Sequence, residues 1–132
     1  MTRLVITFVL IVALLSLASL EQAFISNTYS KLKSDTIALQ AAIYGIPESE
    51  GINTPENIAK INGMYAYWLK KEHKLAMLAR HTDLSFISDA IIYVKNFVFF
   101  DNKEEACVGL EKLKYLLDTH AFNVGTSIQN VI

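Results

Sequence analysis

The chain begins with a continuous apolar run and goes on as segments with helical hydrophobic spacing. Residues Leu4 to Leu20, LVITFVLIVALLSLASL, contain no charge, glycine or proline. As a helix this run is about 25 Å long, close to the roughly 30 Å hydrocarbon core of a bilayer. It predicts a transmembrane anchor at residues 1–22, followed by one domain at residues 23–132. The apolar anchor residues are Leu4, Val5, Ile6, Phe8, Val9, Leu10, Ile11, Val12, Leu14, Leu15, Leu17 and Leu20.

The hydrophobic pattern continues beyond the anchor. No helix breaker occurs between Thr2 and Gly45, and apolar positions recur there at intervals of three and four residues. The anchor helix is therefore expected to run straight into the core of the domain. The positions expected to face that core are Ile25, Tyr29, Leu32, Thr36, Leu39 and Ile43.

A loop and a new helix follow. Residues 44–57 hold both prolines of the chain, and Thr54 followed by Pro55 is a typical helix start. A second helix is expected from Pro55 to about Arg80, with Gly63 weakening it locally. Its expected apolar stripe consists of Ile58, Ile61, Tyr65, Trp68, Leu75 and Leu78.

Two further helices are expected in the second half of the chain. The segment HTDL can cap a third helix, although IIYVKNFVFF within that helix also has the composition of a strand. Asp101 or Asn102 can cap a fourth helix, which fades near residues 119–132. The expected core positions are Leu84, Ile87, Ile91, Val94 and Val98 in the third helix, and Ala106, Leu110, Leu113 and Leu117 in the fourth.

Together these segments predict an all-α fold. The N-terminal transmembrane helix continues into a small antiparallel bundle of about four helices, joined by short connections. The net charge of −1 and the pI near 6.3 argue against nucleic acid as a partner. Cys107 is the single cysteine, so it cannot form an intramolecular disulfide and is interpreted as a buried, inert thiol.

The charges that flank the anchor predict its orientation. Arg3 precedes the apolar run, and the next basic residues after it are Lys31 and Lys33. The positive-inside rule therefore favours a cytoplasmic N-terminus and a domain outside the cell membrane. The alternative is a signal peptide cleaved after Ala18, which would leave a secreted protein.

The histidines raise the question of a metal or catalytic site. His73 and His81 lie eight residues apart, which is not the close spacing typical of zinc ligands. His81 is interpreted instead as a corner residue at the C-terminal end of the second helix, with His73 on a solvated face within KKEHK. No nucleophile, base or carboxylate pair has the setting of an active site. We expect no enzyme activity, metal or cofactor.

Aromatic residues are more numerous than one core stripe can take. In YAYW, Trp68 is expected to lie in the core, as is Leu84 after the corner, which leaves Tyr67 to point elsewhere. Exposed aromatic side chains are typical of contact surfaces with other proteins or with lipid headgroups. The predicted partner surface consists of Tyr67, Phe99, Phe100 and Phe122.

The order of these segments resembles that of a known family. The Trp68 helix WLKKEHKLAMLAR, then HTDL, an aromatic helix, DNKEEA, LEKLKYLLDTH and the closing SIQNVI are similar to the DUF4363 family of small Firmicutes proteins. The resemblance implies a membrane-anchored extracytoplasmic helical domain without catalytic residues, accessory to another integral membrane protein. The alternatives are a small-molecule sensor with a pocket inside the bundle, or a secreted helical protein.

Overall fold

A computed structural model describes the backbone of residues 1–78 and 81–131 and the side chains of residues 1–78 and 82–119. The all-α prediction is confirmed: within these ranges the chain forms four helices and no strand, including the segment with strand-like composition. The helices are α1 (Thr2–Tyr44), α2 (Pro55–Leu75), α3 (His81–Phe99) and α4 (Lys103–Val131).

Helix α1 is continuous over 43 residues and therefore about 65 Å long. Its N-terminal half is exposed, whereas the predicted stripe from Ile25 to Ile43 is buried at every position. Two polar residues within the buried half satisfy their hydroxyls locally. Thr28 Oγ1 donates to the carbonyl of Phe24 at 2.8 Å, and Thr36 Oγ1 donates to that of Leu32 at 2.7 Å. Helix α1 therefore combines an exposed apolar half with a second half whose stripe is buried in the bundle.

The four helices form an up-and-down bundle. Helix α1 packs against α2 and α4, and α3 packs against the same two helices, whereas the diagonal pairs do not meet within the described ranges. Lys33 of α1 pairs with Asp118 of α4, and Gln40, farther along α1, donates to Glu111, earlier in α4. These pairs show that α1 and α4 run antiparallel, as predicted.

The core contains nearly all of the predicted stripe residues. Every predicted position of α3 and α4 is buried, Leu84 among them, because a 3.6-residue period places them on one side of each helix. Trp68 is fully buried, and its Nε1 donates to Ser88 Oγ at 2.7 Å; Ser88 in turn donates to Glu72 at 3.0 Å. Ile58 and Tyr65 of α2, and Leu78 in the turn after it, are half-buried at the edge of the core.

The starts of α2 and α4 follow the predicted capping residues, whereas α3 begins at His81, so Thr82 and Asp83 of HTDL lie inside that helix and not at its cap. Thr54 Oγ1 accepts from the amide of Asn57 at 3.1 Å, and Pro55 opens α2. Asn102 Oδ1 accepts from the amide of Glu105 at 3.1 Å, so Asn102, and not Asp101, caps α4. Of the two predicted caps of α4, Asp101 and Asn102, the structure therefore has the second.

Two predicted helix ends are wrong. Helix α2 ends at Leu75 rather than near Arg80, because residues 76–78 form a turn with hydrogen bonds from Met77 to Lys74 and from Leu78 to Leu75. Helix α4 does not fade near residue 119 but extends to Val131. No proline interrupts it, and each glycine within it lowers helix stability by only about 1 kcal/mol relative to alanine.

The position of His81 is also corrected. We predicted it at the C-terminal end of α2, but it is the first residue of α3. It therefore still lies at a corner between two helices, although at a helix N-terminus. Its side chain lies outside the described residues, as do the side chains of His120 and Phe122.

Candidate functional site

The first candidate site is the apolar half of α1, residues 4–20. All twelve predicted anchor side chains are exposed, from 45% at Val12 to 75% at Leu4. Burying one such side chain is worth about 1.5–3 kcal/mol, so leaving all of them in water would cost roughly 20 kcal/mol or more. By length and composition α1 can cross a membrane, and a signal sequence has the same properties.

The polar groups within this half are compatible with an apolar environment. Thr7 Oγ1 donates to the carbonyl of Arg3 at 2.8 Å, so the hydroxyl is satisfied inside the helix. A continuous helix also pairs its backbone amides and carbonyls internally, which is what a lipid environment requires. The first charged residue after the run is Glu21, which is half-buried at the start of the bundle.

The second candidate site is the predicted aromatic surface. Phe99 and Phe100 are 61% and 72% exposed at the end of α3, and their rings meet edge to face with centroids 5.6 Å apart. Both side chains therefore point into solvent, as expected for a contact surface. Phe122 lies outside the described residues.

Tyr67 does not belong with this exposed pair. Its ring is half-buried and packs against the core, and the ammonium groups of Lys31 and Lys71 lie 4.8 and 5.6 Å from the ring centroid. Tyr67 is therefore only partly accessible, and its place in the predicted partner surface stays a prediction. The seam between α1 and α2 covers a ring that the sequence pattern places outside the core stripe.

A cavity of about 760 Å³ lies at the end of the bundle that contains residues 45–54 and 100–102, which we call the loop end. Much of its wall is acidic, including Glu48, Glu50 and Glu104. Two further carboxylates in the wall are already engaged, since Asp101 accepts from backbone amides and Glu111 accepts from Gln40 Nε2. Apolar side chains, among them Tyr44, Ile52 and Val108, complete the wall, so the sensor hypothesis stays a prediction.

Cys107 also faces this cavity. It is half-buried, not fully buried as predicted, and burial raises the pKa of its thiol above the ordinary value. The thiol is therefore protonated at neutral pH, and a protonated thiol is a poor nucleophile. This agrees with the interpretation of Cys107 as inert.

The described side chains contain no group of three or more His, Cys, Asp and Glu residues arranged to hold a metal ion. His73 is exposed on α2, as predicted, and the break between α2 and α3 separates it from His81 along the chain. The absence of a metal and of catalysis stays a prediction, because the side chains of His81 and His120 are not described.

The sequence pattern missed the role of Asp101. This residue has a φ of 61° and accepts hydrogen bonds from the amides of Ile52 at 2.6 Å and Asn53 at 3.1 Å. Asn53 Nδ2 also donates to the carbonyl of Phe99 at 2.7 Å. These bonds connect the loop after α1 to the corner that presents Phe99 and Phe100. Their partners are almost fifty residues apart, so local spacing carries no signal for them.

Comparison of the chain with models of protein families, with curated proteins and with solved structures finds no match.

Proposed function

We propose that this protein is a single-pass membrane-anchored helical domain that binds another integral membrane protein and has no catalytic role. In this proposal the N-terminus is cytoplasmic and the bundle lies outside the cell membrane, as the resemblance to the DUF4363 family implies. The bundle is an accessory to its partner and needs no cofactor.

The observation that carries the proposal is the contrast between the two halves of α1. The half that includes Ile25 and Ile43 is buried in the bundle, whereas the side chains that the structure describes leave the apolar half before Glu21 uncovered. A lipid bilayer supplies the cover that the described protein lacks, since its core matches the length of the run.

The exposed pair Phe99 and Phe100 supports the second part of the proposal. Large aromatic side chains are enriched at the centres of protein interfaces, where a few residues supply most of the binding energy. The hydrogen bonds of Asp101 and Asn53 hold the corner that carries this pair. A backbone corner held in this way loses little conformational entropy on binding, which favours recognition.

The anchor is tested by the mass of the mature chain. We expect a C-terminally tagged chain to fractionate with membranes and to have the mass of the uncleaved sequence. A chain that begins at Ser19, or one recovered from the medium, would contradict the anchor and favour a secreted protein.

The partner surface is tested in the same preparation with a double variant. Affinity purification in mild detergent should recover a membrane protein with the wild type, and Phe99→Ser with Phe100→Ser should reduce that recovery about ten-fold or more. Tyr115→Ser is the matched control, because Tyr115 is an aromatic residue that is 68% exposed on α4. Recovery of a free monomer from the wild type, or equal loss in the control, would count against the proposal.

A further inference from the structure

Three lysines lie near the point where α1 leaves the bundle. Lys70, Lys71 and Lys74 are in the last turns of α2, and the antiparallel packing places these turns beside Phe24 of α1. The ammonium groups of Lys71 and Lys74 are 5.4 and 5.9 Å from the centroid of the Phe24 ring. We call these three residues the lysine cluster.

The position of Phe24 on α1 relates the lysine cluster to the bilayer. Phe24 follows Leu20, the last residue of the apolar run, by four residues on a continuous helix, which is about 6 Å along its axis. The headgroup layer on each side of the hydrocarbon core is itself about 5–8 Å thick. If residues 4–20 span the bilayer, the lysine cluster lies at the depth of the headgroups.

No ion pair involves the lysine cluster within the described part of the chain. The ion pairs among the described residues join Lys31 to Asp35 and Lys33 to Asp118, and neither involves the cluster. Glu72, on the same turns of α2, accepts a hydrogen bond from Ser88 of α3. Glu21 is a half-buried acid one turn before Phe24, so the three lysines face two nearby acids, Glu21 and Glu72, and outnumber them by one.

An exposed apolar side chain accompanies these charges. Met77, in the turn that follows α2, is 80% exposed and lies three residues after Lys74. Lysines beside an exposed apolar side chain suit the membrane interface, where the ammonium groups contact phosphates and the apolar group enters the acyl boundary.

We propose that the lysine cluster binds the anionic phospholipid headgroups of the bilayer that holds α1. This rests on the proposed anchor, and it adds a second attachment that fixes the rotation and tilt of the bundle against the membrane surface. A leaflet that contains anionic phospholipids has the complementary charge.

The test measures the reactivity of individual lysines in nanodiscs, where both membrane faces are accessible. The full chain is placed in discs of phosphatidylcholine or of phosphatidylglycerol and treated with a neutral amine-acylating reagent, and each lysine is quantified by mass spectrometry. We expect Lys71 and Lys74 to react several-fold more slowly in phosphatidylglycerol, and this protection to weaken as salt is raised. Lys60, exposed near the opposite end of α2, is the internal control.

The unfolding midpoints of lysine variants give a second measurement of the lipid contact. Trp68 is the sole tryptophan and is fully buried, so its fluorescence reports unfolding of the bundle. Phosphatidylglycerol should raise the unfolding midpoint of the wild type by about 5 °C relative to phosphatidylcholine. The double variant Lys71→Gln with Lys74→Gln should lose most of this gain, whereas Lys60→Gln should keep it.

The outcomes separate this inference from the proposed function. A chain that does not remain with phosphatidylcholine discs would overturn the anchor itself. A chain that remains there but shows equal reactivity of Lys71 and Lys74 in both lipids would overturn the lipid contact alone. Equal protection of Lys60, or the same protection by inorganic phosphate added to phosphatidylcholine discs, would also overturn it, because either result needs no lipid surface.

Discussion

At the scale of single residues, Tyr29 has the least usual environment in the described core. Its side chain is 2% exposed, and its hydroxyl has no hydrogen-bond partner among the residues whose side chains are described. Burial, with a smaller contribution from the negative charge of Asp83, raises the pKa of Tyr29 to about 12. The phenol is therefore held in its neutral form far above the pH at which a free tyrosine ionises.

This shift predicts an alkaline loss of stability that depends on Tyr29. Between about pH 10 and pH 12 the unfolded chain ionises this tyrosine and the folded chain does not, so the free energy of unfolding falls with rising pH. The fall is up to about 2 kcal/mol, after allowance for solvent screening. Tyr29→Phe should remove that part of the fall and should be stabilised by about 1 kcal/mol at neutral pH, because it lacks the unpaired hydroxyl.

The measurement is the unfolding midpoint of the full chain in mild detergent as a function of pH, followed by Trp68 fluorescence. Tyr115→Phe is the control, since it removes an exposed hydroxyl from the same protein. Its profile should keep the alkaline fall of the wild type. An identical fall in Tyr29→Phe would show that the ionisation of Tyr29 does not contribute.

At the scale of helices, substitutions at Gly63 of α2 and Gly109 of α4 can test how closely the helices pack. A Cβ on Gly109 would lie 2.7 Å from a ring carbon of Tyr93 and 2.8 Å from a methyl carbon of Val94, so α3 and α4 meet closely there. A Cβ on Gly63 would meet nothing within 4 Å. Both glycines lie inside helices, where alanine is intrinsically favoured by about 1 kcal/mol.

The same substitution should therefore have opposite effects at the two sites. Gly109→Ala should lower the free energy of unfolding by about 1–3 kcal/mol, because the clash outweighs the gain in helix propensity. Gly63→Ala should raise it by about 0.5–1 kcal/mol. Thermal unfolding of both variants, measured under one condition, checks the pair. Stabilisation by Gly109→Ala would contradict the close contact between α3 and α4.

The loop end gives a third test at this scale. Asp101→Ala removes the acceptor of the Ile52 and Asn53 amides and should cost about 2 kcal/mol. Asp101→Asn keeps a side-chain oxygen and tolerates the positive φ, so it should retain most of the stability. Hydrogen exchange at Ile52 and Asn53 should accelerate in the alanine variant alone. Equal exchange in the two variants would exclude an anchoring role for Asp101.

The same elements show how far the sequence predicts the fold. The core stripes of α1, α3 and α4 were all predicted, because a buried helix face repeats with a period that the sequence displays directly. The contacts between helices were not predicted. Phe24 and Lys71 are far apart in the sequence, and neither residue type indicates the other.

The features of the candidate sites also fall into two groups: those that the sequence pattern predicts, and those that it does not. The exposure of the apolar half of α1 and of the pair Phe99 and Phe100 could be predicted, since both follow from apolar residues that the core stripes do not use. The half-buried position of Tyr67 could not, because Lys31 approaches it from another helix. The end of α2 at Leu75 was also missed, since the apolar spacing continues through Leu78 after the helix has ended.

At the scale of the whole molecule, the continuity of α1 is the decisive property. Helix α1 has 43 residues without a break, and its second half is buried in the core from Ile25 to Ile43. The direction of its apolar half relative to the bundle is therefore fixed. A flexible linker would let the domain move freely above the membrane. In the proposed function, the rigid connection instead restricts which surfaces of the bundle can contact lipid or a partner.

This geometry predicts that membrane retention and bundle stability are separable properties. Leu10→Lys together with Leu14→Lys places two charges on one side of the apolar half, where each lysine costs about 2.5–3.5 kcal/mol near the bilayer centre. Both leucines are exposed and contact no core residue, so the bundle should keep its unfolding midpoint. The double variant should leave the membrane fraction on alkaline carbonate extraction, whereas the wild type should remain there.

The control for this last prediction is Ile37→Lys, which adds a charge to an exposed apolar position of the same helix within the bundle. Ile37 lies beyond the proposed anchor, so this variant should be retained in membranes like the wild type. Retention of the double variant would mean that Leu10 and Leu14 do not lie in the hydrocarbon core. A lowered unfolding midpoint in the double variant would mean that the apolar half packs against the bundle, contrary to its exposure.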